Sequence, residues 1–464
     1  MTGCLKDCRL QIPESSIGET DFIKNMKALN PLEALYFFEK NLPVFLSGDP
    51  SIKDLISNVK NSLNDKDSAD FHANLLVRGK ELIKHLIAKS IEFLSDEGGS
   101  PKSSSIEKIN NYIDVFTVFE EMLFGLNQKY RDHTLHSLWV YLFGHEFIIN
   151  MGGYGCIEIA GQMDITYSKN NIPKFYLHAR TVKGTVPHLE AMWGIIAIIH
   201  DLGYPVEEIS NKPHEVFGKI LGPFAIDFYS IFQMDYTSRV SLLHQSICDL
   251  LSIMYRHKDL APDQIDKLCE VADEKGGPLL VQGDPTITKD EAQEIQFKIA
   301  SVDKIHSAWS AILAFKNINY LHESDYRGGG DRDYLKLLTR RDIINSILHH
   351  TSEEPKDTAV NRFQFVLLLI DDIEEAARYS RGGRLRGLVS DLCNIRWSVG
   401  ENGAEIELDY TKYENNAQKK YSEMSNKYKA QISDNKDKEY VVSIKFINKE
   451  FNKDLNLYLV KDKK

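Results

Sequence analysis

The chain lacks most of the features that would place it quickly. Its six cysteines, at 4, 8, 156, 248, 269 and 393, are scattered and form no CxxC pair, which argues against a zinc-ribbon or disulfide framework and for reduced thiols. No apolar run approaches the ~20 residues of a membrane helix, and residues 1–8 lack the apolar core of a secretory signal, so a cytoplasmic protein without membrane partners is expected. There is no internal repeat and no low-complexity tract. Positive charge is also in deficit. With 56 Lys and Arg against 67 Asp and Glu, the net charge is −11, which argues against an extended nucleic-acid surface. A small anionic substrate is still compatible, because a metal site or a local Arg cluster can reverse the sign of the field.

What is present is an ordinary globular composition, 42% hydrophobic and 27% charged over 464 residues, enough for a large core plus one or two smaller units. Apolar positions three and four apart predict helices over residues 20–95. Residues 97–105, Glu-Gly-Gly-Ser-Pro-Lys-Ser-Ser-Ser, read as a linker. The next helix carries Ile106, Ile109, Ile113, Phe116 and Leu123 on one side and leads into a helical run over 128–144. Residues 150–187 are Gly-rich with no clear period. Helical stretches follow at 214–234 and 238–257, a loop at 273–289, a helix to Phe315 opened by the capping box Thr288-Lys-Asp-Glu291, a loop over 322–333, and helices over 340–350 and 363–379. From Ile395 the period changes to two: Ile395, Trp397 and Val399, then Ala404, Ile406 and Leu408, alternate across a Gly-Glu-Asn-Gly turn. Tyr413, Ala417, Tyr421, Met424 and Tyr428 return to helical spacing, and Val442, Ile444 and Phe446, then Leu455, Leu457 and Leu459, alternate again. The expected organisation is an N-terminal helical region (1–105), a helical domain (106–394) and a small β-β-α-β-β unit (395–464). Long helical faces in residues 20–95 offer an interface for a second copy of the chain.

The most informative stretch is Ala191-Met-Trp-Gly-Ile-Ile-Ala-Ile-Ile199, nine residues without charge that run into His200 and Asp201. A segment apolar on all sides is buried on every face. An imidazole and a carboxylate at its buried end are costly unless paired. A metal ion is the obvious partner; a capped core helix with Asp201 against an Arg is the structural alternative. Three other places have the same character. His133 and His136, three apart, share a helix face. His349 and His350 end a helix before Pro355. Asp371 and Asp372 follow the apolar run Phe365-Val-Leu-Leu-Leu-Ile370, and at ~100° per residue only one of them is expected to point inward. Each histidine singly is more simply a satisfied core imidazole. Together they suggest a mixed nitrogen and oxygen metal site between helices.

The ordered set resembles the HD-domain metal-dependent phosphohydrolase superfamily. His136-Ser-Leu-Trp-Val140 is similar to that family's first-ligand helix, Ile199-His-Asp-Leu-Gly203 to its name-giving doublet, and Leu368-Leu-Ile-Asp-Asp-Ile373 to the helix of its last aspartate. The resemblance covers roughly residues 106–395. It implies a mainly α, HD-type helical bundle with extra N-terminal helices and a small C-terminal α+β unit. It also implies His136, His200, Asp201 and Asp371 as ligands of a first divalent ion. His349 and His350, and next His306, are candidates for a second ion. Mn, Mg, Fe, Zn and Ni are not distinguished. Many members carry a Lys shortly after the doublet, where this chain has Tyr204. In such a site one or two cations and Asp201 activate water for attack on a phosphate ester, and His133 either supplies a proton to the leaving oxygen or orients a ligand. Arg131 and Arg378 are candidate phosphate contacts, although Arg378 and Glu374, four apart, could equally form a helix-surface pair. The implied substrate is a small phosphorylated anion, a nucleotide or related ester. Two other functions fit the ligand order: a di-iron oxygenase with four histidines and two aspartates, and a non-catalytic protein that binds a nucleotide or partner through the C-terminal unit.

Overall fold

The computed structural model describes residues 26–65, 68, 70–98, 103–126, 132–157, 159, 164–167, 173–176, 185–205, 306–322, 331–351, 359–377, 394–410, 416–429, 440–449 and 451–459. The expected helices over 214–234 and 238–257, the loop over 273–289 and the capping box at 288–291 lie outside them. The described residues form 11 α-helices and a five-stranded C-terminal sheet.

The N-terminal helices follow their sequence signals. In α1 (Pro31–Lys40), proline at the first position and the Asn30 side chain, which accepts from Leu32 N and Glu33 N, fix the start. In α2 (Ser51–Asn64), Ile52, Ile56, Val59 and Leu63 make one buried stripe. The long helix α3 (Phe71–Gly98) runs into the predicted linker, and α4 (Ser103–Leu126) begins within it. One hydrophobic cluster extends from Leu29 through these helices to Leu459 in the last strand, so all three regions share a core.

Two helices occupy the centre. Both α5 (His133–Met151) and α6 (Val186–Ile199) are buried around almost their whole circumference, as their lack of polar faces requires. They approach closely: a β-carbon on Gly144 would lie 2.0 Å from the Trp193 ring. The Trp193 indole also donates to the Tyr141 carbonyl oxygen at 3.0 Å. Between α5 and α6 lies a β2 (Asp164–Tyr167) and β3 (Pro173–Tyr176) antiparallel pair, in the stretch without clear periodicity. The remaining helices are α7 (His306–Asn317), the short α8 (Asn319–His322), α9 (Asp331–His349) and α10 (Phe363–Ala377). Helix α9 starts at Asp331, where the sequence predicts a loop up to 333 and a helix only from 340. The charged opening Asp331-Arg-Asp-Tyr-Leu-Lys hides the apolar period.

In the C-terminal unit the order is β1-β4-β5-β6-β7. Strands β4 (Asn394–Gly400) and β5 (Gly403–Asp409) form a hairpin. Helix α11 (Asn416–Lys427) connects β5 to its parallel neighbour β6 (Tyr440–Ile447), and β7 (Asn452–Leu459) pairs antiparallel with β6. The registers Trp397↔Ile406, Ile406↔Ile444 and Ile444↔Leu455 line the alternating apolar residues on one face. That face meets Phe143 and Phe147 of α5 through Trp397, and α11 through Tyr421 against Phe446. The fifth strand, β1 (Lys27–Ala28), is contributed by the N-terminal region and pairs with β4. Two residues carry no readable period, so that strand was invisible in the sequence.

Candidate metal centre

Five helices and the turn after one of them bring histidines and aspartates to one point. Helix α5 begins at the N-cap Asp132, whose carboxylate accepts from Leu135 N at 2.9 Å, and places His136 in its first turns. His200 caps the C-terminus of α6, and the following turn carries Asp201. Gly203 is required in that turn: a β-carbon there would lie 2.1 Å from the His306 carbonyl oxygen and 2.4 Å from Ser310 N. Gly203 N also donates to Ser310 Oγ at 2.7 Å, so the doublet is seated directly on α7. The start of α7 supplies His306, the residue following α9 is His350, and α10 supplies Asp371.

Three sets of donor atoms, each within 4.8 Å of one another, arise from this convergence: His136, His200 and Asp201; His200, His350 and Asp371; and Asp201, His306 and His350. His136 Nε2 lies 2.9 Å from Asp371 Oδ1, 3.3 Å from Asp201 Oδ2 and 3.3 Å from His200 Nε2. His200 Nε2 is 3.8 Å from Asp371 Oδ1. On the other side, Asp201 Oδ1 lies 3.2 Å from His306 Nε2 and 3.5 Å from His350 Nε2, and those two nitrogens are 3.2 Å apart. Asp201 Oδ2 thus faces His136, while Oδ1 faces His306 and His350 and also lies 3.6 Å from His200 Nε2.

The donor chemistry fits cations. Each Nδ1 that faces outward has an acceptor: Glu374 for His136, the Ala197 carbonyl oxygen at 2.9 Å for His200, and the Ile347 carbonyl oxygen at 2.6 Å for His350. Those acceptors hold the proton on Nδ1 and leave the Nε2 lone pairs aimed inward. Lone pairs at 3.2–3.3 Å from one another, beside carboxylates, repel unless protons or a cation lie between them. Two donors each ~2.1 Å from one ion are about 3.0–3.4 Å apart, close to the closest separations found. Burial raises the Asp201 pKa, but His200, His306, His350 and His136 more than offset it and hold the carboxyl well below the usual range. Asp371 is likewise lowered against the effect of burial, by His136 and His200. Burial pushes His350 down to about 4, against the pull of Asp201. At neutral pH these are ionised carboxylates and a neutral imidazole, the forms that bind metal.

The remaining candidates divide. His349 ends α9 half-buried and joins none of these groups among the described residues; it projects ~100° from its neighbour. His133 stands one turn before His136, with its ring 6.4 Å from that of His136. It stacks on Tyr204 at 3.9 Å, and its Nδ1 faces the buried Glu120 at 3.3 Å. Arg131 and Arg378 lie outside the described residues. Asp371 and Asp372 diverge, Asp371 to the centre and Asp372 to Tyr428 Oη at 2.8 Å, but the expectation that only one points inward fails: Asp372 is buried too, because the C-terminal unit packs over that face of α10.

Two acids were missed. Glu374 is buried against His136 and does not lie on the surface as a pairing with Arg378 would require. Its position, three after Asp371, was the available signal. Glu120 is fully buried and accepts from the backbone N–H groups of His133 and Thr134, capping α5 from α4. It takes the next place in the stripe Ile109, Ile113, Phe116, where a charge is out of place. Among the described residues, no helix is long and apolar enough to cross a membrane. Comparison with protein-family models, with curated proteins and with solved structures finds no match to the chain.

Proposed function

We propose that the protein is a metal-dependent phosphohydrolase built on an HD-type helical bundle, which cleaves a nucleotide or a related small phosphate ester. The observation that carries this reading is the convergence of His136, His200, His306, His350 and Asp371 around Asp201, whose Oδ2 faces His136 and whose Oδ1 faces His306 and His350. Two divalent cations held there would activate water and offset the negative charge of phosphoryl oxygens. Asp201, facing both sides, holds the two halves at a fixed separation. Asp371 and His306, with side chains 20% and 22% exposed, are the more accessible members of the cluster, and substrate would approach beside them. His133 gives a proton to the leaving oxygen as the P–O bond breaks. Glu120 fixes its Nδ1, which directs Nε2 away from the acid, and Tyr204 holds the ring plane by stacking. Arg131, adjacent in sequence to the α5 cap, and Arg378, adjacent to the end of α10, are the proposed guanidinium contacts to phosphate.

One observation favours a second reading. The described cluster contains four histidines and two aspartates, the donor set of the di-iron oxygenases of the same superfamily. The two readings separate in one experiment: metal analysis of protein purified without added metal, followed by a phosphate-release screen over nucleotides. The hydrolase reading expects bound divalent metal and phosphate or nucleoside release supported by Mn²⁺ or Mg²⁺, lost in His200→Ala and Asp201→Ala. Two irons per chain with oxygen consumption would favour the oxygenase. Less than about one metal per chain, unchanged by His136→Ala, sinks both.

A further inference from the structure

The helices that deliver His136 and Asp371 are both gripped by the C-terminal α+β unit. On α10, Asp372 is buried beside the ligand Asp371. Its Oδ2 accepts from Tyr428 Oη at 2.8 Å and pairs with Lys427 Nζ at 2.9 Å, while Lys420 Nζ lies 3.7 Å from Oδ1. Lys420 also pairs with Glu375, 3.5 Å away. These three donors all belong to α11 and the residue after it. On α5, ten residues after His136, the buried Glu146 accepts from the Trp397 indole of β4 at 3.0 Å and pairs with Lys27 of β1 at 2.5 Å. The Trp397 ring packs on Phe143 and Phe147 of the same helix. A buried carboxylate without partners is costly, so Asp372 and Glu146 commit α10 and α5 to the unit that satisfies them.

We propose that the C-terminal unit is a positioning element of the metal centre, in which Tyr428 and Lys427, through Asp372, fix the rotation of α10 that aims Asp371 at His136. Side-chain oxygens stand about 5–6 Å from a helix axis, so rotating α10 by about 20° displaces the Asp371 carboxylate about 2 Å. Coordination distances are held to within about 0.2 Å, so such a displacement removes the ligand. Linkage is reciprocal: metal bound at the centre stabilises the docking of the C-terminal unit by the same free energy. The unit is therefore a place where a bound molecule could tune metal affinity from outside the site.

The proposal rests on the metal-binding part of the proposed function and not on phosphoryl chemistry. Its test is the Mn²⁺ affinity of the full chain, measured by competition with a chelator, for wild type, Tyr428→Phe and Lys427→Met. Positioning predicts affinity about 10-fold weaker in both variants. Simple electrostatics predicts the opposite for Lys427→Met, since removing a cation near the centre strengthens Mn²⁺ binding. A purely structural contact lowers the metal-free unfolding midpoint and leaves the affinity unchanged. Glu407→Gln, which breaks the surface pair with Arg396 in the same unit, serves as the control and leaves affinity at the wild-type value. Affinities within about twofold of wild type in both variants, or tighter binding in Lys427→Met, overturn the proposal. Failure of the wild type itself to bind Mn²⁺ instead overturns the metal centre on which it rests.

Discussion

Glu374 joins none of the donor groups among the described residues, yet it decides which nitrogen of His136 is available. With its carboxylate against Nδ1, the proton stays on that side and Nε2 faces Asp201 and Asp371. Glu374→Gln keeps the shape but replaces a charged acceptor with a neutral one that can also turn its NH₂ toward the ring. We expect metal affinity to fall about 10–100-fold, the usual cost of losing a ligand's outer partner, with little change in the metal-free unfolding midpoint. Equal affinity in a chelator competition would show that the tautomer is set elsewhere. The residue scale is also where the sequence was most ambiguous. His349 and His350 look alike in one dimension, and only the direction each side chain takes from the end of α9 separates them. His306 looked the weaker candidate, because more than a hundred residues part it from Asp201, and the contact of Gly203 with α7 closes that distance.

At the scale of elements, the centre depends on how tightly the turn after α6 sits on α7. The atoms that a β-carbon at 203 would meet first are backbone, a carbonyl oxygen at 2.1 Å and an amide nitrogen at 2.4 Å, so no rotamer change relieves the clash. Gly203→Ala must push α7 away from the doublet and with it His306. The expected cost is about 2–3 kcal/mol, read as a lower denaturant midpoint with an unchanged m-value. A variant as stable as wild type would mean that the turn and α7 are not in contact. Helix and strand identity came from the periods: two for the C-terminal strands, near 3.6 for the helices, and none for α5 and α6, whose uniform burial is itself the signal. Pairing did not come from them. Nothing in the alternation of Ile406 and Ile444 says that β5 and β6 run parallel, or that residues 27–28 complete the sheet.

Across the whole molecule, two buried titratable groups outside the centre tie the N-terminal segment 41–46 to the middle helices, and they act in opposite directions with pH. His145 of α5 approaches the Asn41 carbonyl oxygen at 2.8 Å through Nε2, and burial pushes it down to about 4. An unfolded histidine protonates near 6.5. Between those values the unfolded chain binds the extra proton, so this contribution is complete above about pH 6.5 and is lost as pH falls toward 4, by about 3 kcal/mol. Glu190 of α6 accepts from Val44 N at 2.7 Å, and burial raises it to about 7 in spite of its backbone hydrogen bonds. Here the folded chain holds the extra proton, so the contribution is complete below about pH 4.5 and is lost as pH rises through 7. In metal-free protein, His145→Gln should therefore lose less stability than wild type between pH 7 and 5, and Glu190→Gln should gain on wild type between pH 5 and 8. Denaturant titrations at these pH values check both, and parallel pH profiles for variant and wild type would mean that neither group is buried in solution.

The sequence by itself determined that the chain is mainly helical, that a β-rich unit follows residue 394, and that His136, His200, Asp201 and Asp371 sit at the ends or within uniformly apolar segments. Those conclusions rest on period and burial, which are local properties. The tertiary structure alone decided that the four meet, that Asp201 looks both ways, and that His306 joins His350 in place of His349. It alone revealed that Glu374, Glu120 and Asp372 are buried and committed to particular neighbours. The reason is physical. A charge on a helix can be a solvated surface group or a buried, satisfied one, and which it is depends on what packs against that face.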